Sequence, residues 1–418
     1  MLENRVYFVI DMKSFFASVE CSERGLDPFT ANLVVADEER TKGTVCLAIT
    51  PHMKELGIKN RCRLYQIPSS IDFIIAKPRM KKYIEYSAEI YGIYLKYIDK
   101  NDIHVYSIDE CFLDVTDYLK LYKIKAKDFA QKLMNEIYEK LKIPSTVGIG
   151  TNMFLAKIAL DITAKHSKDR IGWLNEEKFK NSLWHHKPLT DFWQIANGTV
   201  KRLEKFGIFD LYDLAHYPEE ILYKEFGVNA ELLIDHAWGR ETCTMKDIKN
   251  YKKKSSSISS SQILPCGYTK EETRIILKEM VQSACYTLAR KNYVTNLVHL
   301  DIGYQDFLEG SKGTRRMHVT TNLYSEIIKY FEDIFDEVVN GTNLIRKINV
   351  SFCDLQTQEK EQYDLFSDEN KIKKEKNIVS SLITIQDKFG KNAVLKGLDL
   401  NKKATIKGRN NMIGGHNE

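Results

Sequence analysis

Three acidic residues set the chemical question. Asp11 ends the apolar run 6–10, and the adjacent Asp109 and Glu110 separate two strand-like runs, 103–108 and 111–115. Neighbours in a regular strand point to opposite faces, so a turn or distortion at Asp109 and Glu110 is needed for both to reach one site beside Asp11. Carboxylates gathered at a sheet edge repel one another and call for a cation. Hard oxygen donors select Mg²⁺, with Mn²⁺ as a substitute, and such ions keep waters and bind substrate phosphates. Two of them about 4 Å apart activate a 3′-hydroxyl and stabilise a leaving pyrophosphate in an in-line displacement. The plainer alternative is three solvated acids at loop ends, because acids are common at turns.

The elements that must position these groups are short strands and amphipathic helices. The run 6–10 reads as a strand ending at Asp11. Spans 125–141 and 153–165 have helical spacing, with Phe154, Ile158 and Ile162 on one face. From 174 to 243 the pattern is helical throughout. Residues 257–354 read strand, helix (270–291), strand (296–304), strand (315–320), helix (323–339), strand (345–354), two strand–helix–strand halves of a small α+β domain. The serine-rich run 255–261 is open between a flexible loop and the start of an edge strand.

A chain of 418 residues predicts two to four domains at about 100–200 residues each. With 43% hydrophobic and 28% charged residues, disorder is excluded. No run approaches the roughly 18–20 apolar residues of a spanning helix, and the apolar run before Asp11 is too short for a signal peptide. The eight cysteines show no CxxC spacing, which excludes an encoded zinc site or redox pair and predicts reduced, buried thiols. These features predict a soluble, cytoplasmic protein with no membrane partner. The formal charge of +5 permits an anionic partner without demonstrating one. It is unevenly placed: residues 371–418 hold eleven Lys/Arg against four Asp/Glu, whereas 355–370 hold five acids and one lysine. Such a change of sign marks a domain edge.

Three blocks then stand in order: DMKSFFASVE at 11–20, YSIDECFLDV at 106–115 and VGIGTNMFLAKIA at 147–159. With them the chain resembles the Y-family, or translesion, DNA polymerases of the UmuC/DinB type through about residues 5–366, and the ending MIGGH at 412–416 resembles tails of UmuC-like proteins of Gram-positive bacteria. The resemblance implies an α+β multidomain right hand: palm (1–14 and 80–173), fingers (15–79), helical thumb with a helix–hairpin–helix (174–243), linker (244–256), βαββαβ little finger (257–355), then a clamp-binding segment and basic tail (356–418). It implies a template-directed, low-fidelity DNA polymerase acting in lesion bypass, DNA repair and the SOS response.

On that resemblance Asp11, Asp109 and Glu110 are the catalytic carboxylates and, with the Met12 carbonyl, hold two Mg²⁺ ions. Phe16 matches the aromatic that excludes a ribose 2′-oxygen, while Phe15 reads as core. Lys157 matches a lysine that contacts the incoming triphosphate, favoured by its place near a helix start after Gly148 and Gly150. Its bland alternative is an i, i+4 pair with Asp161. The fingers segment ITPHMKELG at 49–57 departs from the pattern, with Pro51 and Lys54 where many relatives carry a tyrosine and an arginine. Lys54 is carried over as a nucleotide contact, although lysine is a point charge without a fork; Pro51 is not, and Arg61 and Arg63 lie nearby.

In the thumb, FWQIANGTVKRL at 192–203 resembles a helix–hairpin–helix, with Gly198 and Lys201 at the place that grips a DNA phosphate and Ala196 where glycine is common. Arg315 and Arg316 on one strand would add salt-sensitive phosphate contacts. QYDLF at 362–366 resembles the bacterial sliding-clamp motif, with Gln362, Leu365 and Phe366 as its anchors. The implied partners are primer-template DNA, deoxynucleoside triphosphates and the clamp, with room for an accessory protein, and a monomer is the simplest state. The basic tail receives no role, although 372–389 reads as a helix. Two rivals differ in what they need. A nucleotidyl cyclase needs no thumb, second α+β domain or clamp motif. A catalytically silent polymerase-like scaffold that binds DNA and the clamp is expected to have lost its carboxylates, and all three positions here are acidic.

Overall fold

The first strand is apolar at successive positions because its sheet is covered on both sides. Along β1 (Tyr7–Met12), Phe8, Ile10 and Met12 enter one core, and Tyr7 and Val9 enter another. The computed structural model describes residues 5–38, 43–252, 256–307, 309–359, 362 and 368–417.

From β1 the chain continues through α1 (Phe15–Glu23), β2 (Leu33–Val35), β3 (Ala48–Ile49), α2 (Pro51–Glu55), β4 (Ile74–Ala76) and α3 (Met80–Tyr94). Next come β5 (Ile103–Val105), β6 (Glu110–Asp114), β7 (Ser145–Gly150) and β8 (Ile171–Leu174). The central sheet has the order β5-β6-β1-β7-β8, with β1 antiparallel to both neighbours. On one face Val19 of α1, Tyr83 of α3 and Phe129 and Leu133 of the helix Ala126–Leu141 fill the core. The other face receives the helix Met153–Ile158 at very short range. A Cβ on Gly148 would stand 2.0 Å from the Ala156 carbonyl oxygen, and one on Gly150 2.2 Å from the Ala156 amide nitrogen. Only glycine permits that approach. The helix expected over 153–165 is α-helical to Ile158, then widens to a π turn (Ala159–Thr163) and closes in a 3-10 turn (Ala164–His166). Phe154, Ile158 and Ile162 are all buried.

A smaller sheet, β3-β2-β4, carries α2 over a core that includes Cys46, Ile49 and Met53. The helical region beyond β8 comprises Glu176–Leu183, Asn197–Glu204, Leu211–His216, Glu219–Phe226 and Asn229–Ala237 around Phe179, Phe192, Leu203 and Leu222. The stretch expected to be a linker contains another helix, Met245–Asn250, with a Thr244/Asp247 capping box. Met245 is buried with Tyr7 and Phe112, and Lys249 Nζ donates to the Ile103 carbonyl at 2.7 Å, which ties this segment to the sheet.

The chain divides into two compact units, Met1–Tyr251 (with His416–Glu418) and Lys252–Gly415. The second is built from β9 (Ile258–Tyr268), the helix Lys270–Arg290, β10 (Tyr293–Tyr304), β11 (Ser311–Thr321), the helix Tyr324–Val338 and β12 (Ile345–Cys353). This is the expected βαββαβ order. The sheet order β11-β10-β12-β9 puts β9 at an edge, so the described serines of 256–261 lead into an edge strand. Both helices cover one face through Ile276, Met280, Phe331 and Phe335.

The basic tail also has structure. Its helix Glu369–Phe389 and the segment after it pack on the helix Lys270–Arg290. Arg290 pairs with Asp387 at 3.0 Å, Lys403 with Glu272 at 3.0 Å, and the Thr405 amide donates to Glu279 Oε2 at 3.1 Å. The cysteines depart from expectation in part. All eight are free; Cys21, Cys46, Cys62, Cys111 and Cys285 are buried, whereas Cys266 is exposed because it lies on the edge strand β9. Among the described residues no helix is long and apolar enough to cross a membrane.

Candidate active site

Strand register brings the acids together. Asp11 of β1 lies directly opposite Glu110, the first residue of β6. Directly opposed residues in an antiparallel pair share a face, and here it is the face of Tyr7, Val9 and Phe112, on which the helix Met153–Ile158 packs. Asp109 stays in the turn before β6. There Ser107 Oγ donates to Asp109 Oδ1 at 2.6 Å, and the Met12 amide donates to the Asp109 carbonyl at 3.0 Å. The Tyr106 and Ser107 amides both bond to the Glu110 carbonyl, at 3.0 and 3.1 Å. That turn interrupts the strand alternation at Asp109 and Glu110.

Burial pushes the Asp11 carboxyl up to about 8, reinforced by the charges of Asp109 and Glu110 and opposed by Lys157. Burial also raises Glu110, against the pull of Lys157. Lys157 is itself buried, and its Nζ donates to Glu110 Oε2 at 2.9 Å and to Asp161 Oδ1 at 3.2 Å. Burial disfavours its charge, but Asp161 and Glu110 outweigh that and hold its pKa above the ordinary value. The close approach at Gly148 and Gly150 is what delivers this ammonium. The lysine expected to face a triphosphate is therefore engaged by two carboxylates, and its pair with Asp161 is one of those contacts.

Glu110 Oε1 also lies 2.9 Å from the ammonium, so both oxygens of this buried carboxylate face Lys157. Among the described residues no three His, Cys, Asp or Glu side chains are gathered as a ready metal-ligand group. The crowded acids, whose charges raise Asp11, nonetheless suit a hard cation, which would relieve their repulsion.

Lys54 is the basic candidate whose electrostatics include Asp11. Thr50 caps α2 and Pro51 starts it as a buried first residue, so Pro51 serves the helix. Lys54 projects from α2; crowding by protein atoms lowers its pKa first, followed by the charges of Lys13 and Lys165, with Asp11 opposing. Sequence reasoning did not single out Lys13 and Lys165, whose charges act on Lys54. The only signal for Lys13 was its place two residues after Asp11; Lys165 had none, because it depends on the turn after the π segment. The Arg63 guanidinium bonds the Gly43 carbonyl, and Arg61 is exposed with φ 58°. Phe15 is buried core, whereas Phe16 is partly exposed and stacks on Tyr83 with ring centroids 4.5 Å apart.

The remaining candidates lie elsewhere. Gly198 and Lys201 are exposed on the helix Asn197–Glu204, and a Cβ at Gly198 would meet open space, so the glycine is not sterically required. Arg315 and Arg316 share β11 but point to opposite faces: Arg315 pairs with Glu337 of the covering helix, while Arg316 pairs with Asp354 at 3.1 Å. Strand alternation thus leaves Arg316 alone of the two on the open face. Gln362 Oε1 accepts from the Thr320 amide at 2.9 Å; Leu365 and Phe366 lie outside the described residues.

Two family descriptions match: the impB/mucB/samB family over residues 10–161, and the impB/mucB/samB family C-terminal domain over 255–365. The Bacillus subtilis (strain 168) protein UvrX, named for UV-damage repair, is 30% identical over 411 residues, which cover 97% of this chain and 96% of that protein. The chain belongs to the impB/mucB/samB family. DNA polymerase IV 2 of the same organism is 27% identical over 423 residues, spanning 100% of both chains. A Y-family DNA polymerase chimera of Dbh and Dpo4 superposes with a TM-score of 0.65 at 22% identity, covering 83% of this chain and 98% of its own. The fold of this impB/mucB/samB member is therefore that of a Y-family polymerase, with palm, fingers, thumb and little finger.

Proposed function

We propose that the chain is a template-directed DNA polymerase of the lesion-bypass class, adding deoxynucleotides to a primer 3′-end. The observation that carries this reading is the register of Asp11 against Glu110, with Asp109 in the adjoining turn, on the palm of a Y-family fold. The printed names of the relatives, UV-damage repair and DNA polymerase IV, point the same way. Mg²⁺, replaceable by Mn²⁺ and held by Asp11, Asp109, Glu110 and the Met12 carbonyl, would supply nucleophile activation and neutralisation of the leaving pyrophosphate.

The chain's own residues do the rest. Lys13, Lys54 and Lys165 receive the triphosphate; their mutual repulsion is relieved when the anion arrives. Lys157 keeps Glu110 and Asp161 in place and offsets their charge. Phe16 lies under the sugar and leaves no room for a 2′-oxygen. Gly198 and Lys201 grip a phosphate of the duplex, Arg316 adds a phosphate contact from the little finger, and Gln362, Leu365 and Phe366 bind the sliding clamp. We place the domain boundaries as the sequence suggests, with the helix Met245–Asn250 assigned to the first unit. A cytoplasmic monomer acting in DNA damage tolerance follows from this reading.

Primer extension with Mg²⁺ on undamaged and abasic templates tests it. Extension by the wild type and none by Asp109→Ala/Glu110→Ala is expected. A folded, DNA-binding wild type that fails to extend with Mn²⁺ and clamp added would overturn it in favour of a silent scaffold.

A further inference from the structure

Phe16 does not stand alone. It lies on α1 one turn before Glu20, and its ring stacks on Tyr83 of α3 with 17° between planes. Among the described residues Phe15 is the other ring against it, tilted at 5.8 Å. Tyr83 is fully buried, and its hydroxyl donates to Glu20 Oε1 at 2.8 Å. Glu20 is equally buried, and Arg79, at the start of α3, grips it with a fork: Nε to Oε1 at 3.0 Å and Nη2 to Oε2 at 2.9 Å. Arg24 adds a bond to Oε2 and another to the Glu20 carbonyl at 2.9 Å. Glu20 is thus held by α3 and by its own helix.

This arrangement closes a loop through two helices. Glu20 fixes the Tyr83 hydroxyl, the Tyr83 ring fixes the plane of Phe16, and Phe16 returns to the helix that carries Glu20. A planar guanidinium fork on a buried carboxylate sets direction as well as distance. A phenol with one end anchored cannot slide along its stacking partner. A wall that must reject a single oxygen atom needs that immobility, because a displacement of about 1 Å in a packed contact is enough to admit it.

We propose that Tyr83, pinned by Glu20 and Arg79, is a positioning residue for sugar selection: it holds Phe16 at the height that excludes a 2′-hydroxyl. The inference rests on the reading of Phe16 as the sugar wall. The Glu20 cluster then has a second role besides joining α1 to α3.

The test is single-nucleotide insertion by the full chain, with a deoxynucleotide and the matching ribonucleotide, reading kcat and KM separately. Phe16→Ala is the control for the underlying reading. It should lower deoxy-over-ribo discrimination by about 100-fold or more, and an unchanged ratio would sink the Phe16 assignment itself. With that control positive, Tyr83→Leu should lower discrimination about tenfold through a lower ribonucleotide KM, with the deoxynucleotide KM little changed. Tyr83→Phe keeps the ring and loses only the anchor, so about a threefold loss is expected, with the same KM signature. Arg79→Lys removes the fork and should match Tyr83→Phe. Melting temperature is measured on every variant. Lower melting temperatures with unchanged discrimination in Tyr83→Phe and Arg79→Lys would reduce the cluster to a structural brace and overturn the proposal, whether or not Tyr83→Leu folds.

Discussion

The palm sheet is covered on both faces, whereas the little-finger sheet keeps one face open. On the palm, Asp11 and Glu110 lie beneath the packed helix that carries Lys157; burial raises both acids, while Asp161 and Glu110 hold the Lys157 pKa up against burial. On the little finger, Lys312, Thr314, Arg316, Ser259 and Ser261 are exposed, and Arg316 has its own surface partner in Asp354. The difference is one of dielectric. Charges under cover interact strongly and cost stability, which suits a site that must bind ions and phosphates. Charges on an open sheet are screened within about 8–10 Å by salt, which suits sequence-independent contact with a polyanion.

The largest effect tests whether chemistry is confined to the covered sheet. Asp109→Ala/Glu110→Ala should lower primer extension at least about 1,000-fold while the little finger stays folded. A loss below tenfold would put the chemistry elsewhere.

Next comes the contrast between buried and exposed ion clusters. Glu20→Ala should cost about 3 kcal/mol, because it leaves two guanidinium groups and a buried phenol without their acceptor. Glu337→Ala, which breaks only the exposed pair with Arg315, should cost below about 1 kcal/mol. Urea unfolding, followed by hydrogen exchange in each unit, separates the two. Burial alone would raise the Glu20 carboxyl, but Arg79, Arg24 and Tyr83 together hold it below its ordinary 4.5. Its contribution is therefore complete above about pH 4.5 and is lost as pH falls through the depressed value. The stability gap between wild type and Glu20→Gln should narrow as pH falls below 4.5; a gap unchanged down to pH 2 would contradict the cluster.

A smaller effect has the opposite sign. With Mg²⁺ present, Asp11→Asn should abolish extension, yet its stability measured without divalent cations should rise by about 1–2 kcal/mol, since it removes one of three crowded acids. Destabilisation instead would mean that the acids do not repel. The smallest effect concerns one strand. Arg316→Ala should reduce the salt slope of primer-template binding by about one, and Arg315→Ala should leave it nearly unchanged. Equal effects would erase the distinction between the two faces of β11.

Much of this was legible without coordinates. The apolar run before Asp11, the paired acids at 109–110 and the βαββαβ order are local patterns, set by side-chain period and by turn chemistry. They determine which elements form and which residues carry charge, because each signal sits within a few residues of its consequence. The tail helix was legible too, but its packing and the helix Met245–Asn250 were harder. Their contacts gain meaning only against surfaces contributed by distant segments: Met245 packs against Tyr7 and Phe112, and the Thr405 amide bonds Glu279.

The allocation of partners was decided by tertiary structure alone. Lys157 had two plausible employments in the sequence; the glycine-mediated approach of its helix to β7 gave it to Glu110 and Asp161 together. The charges of Lys13 and Lys165, from separate segments, are both felt at Lys54. Arg315 and Arg316, adjacent in sequence, were divided between two faces by the strand that carries them. Composition and spacing determine which groups are available. Which of them face one another depends on register and close packing between segments far apart in the chain, and a one-residue change in strand register would send Asp11 or Arg316 to the opposite face.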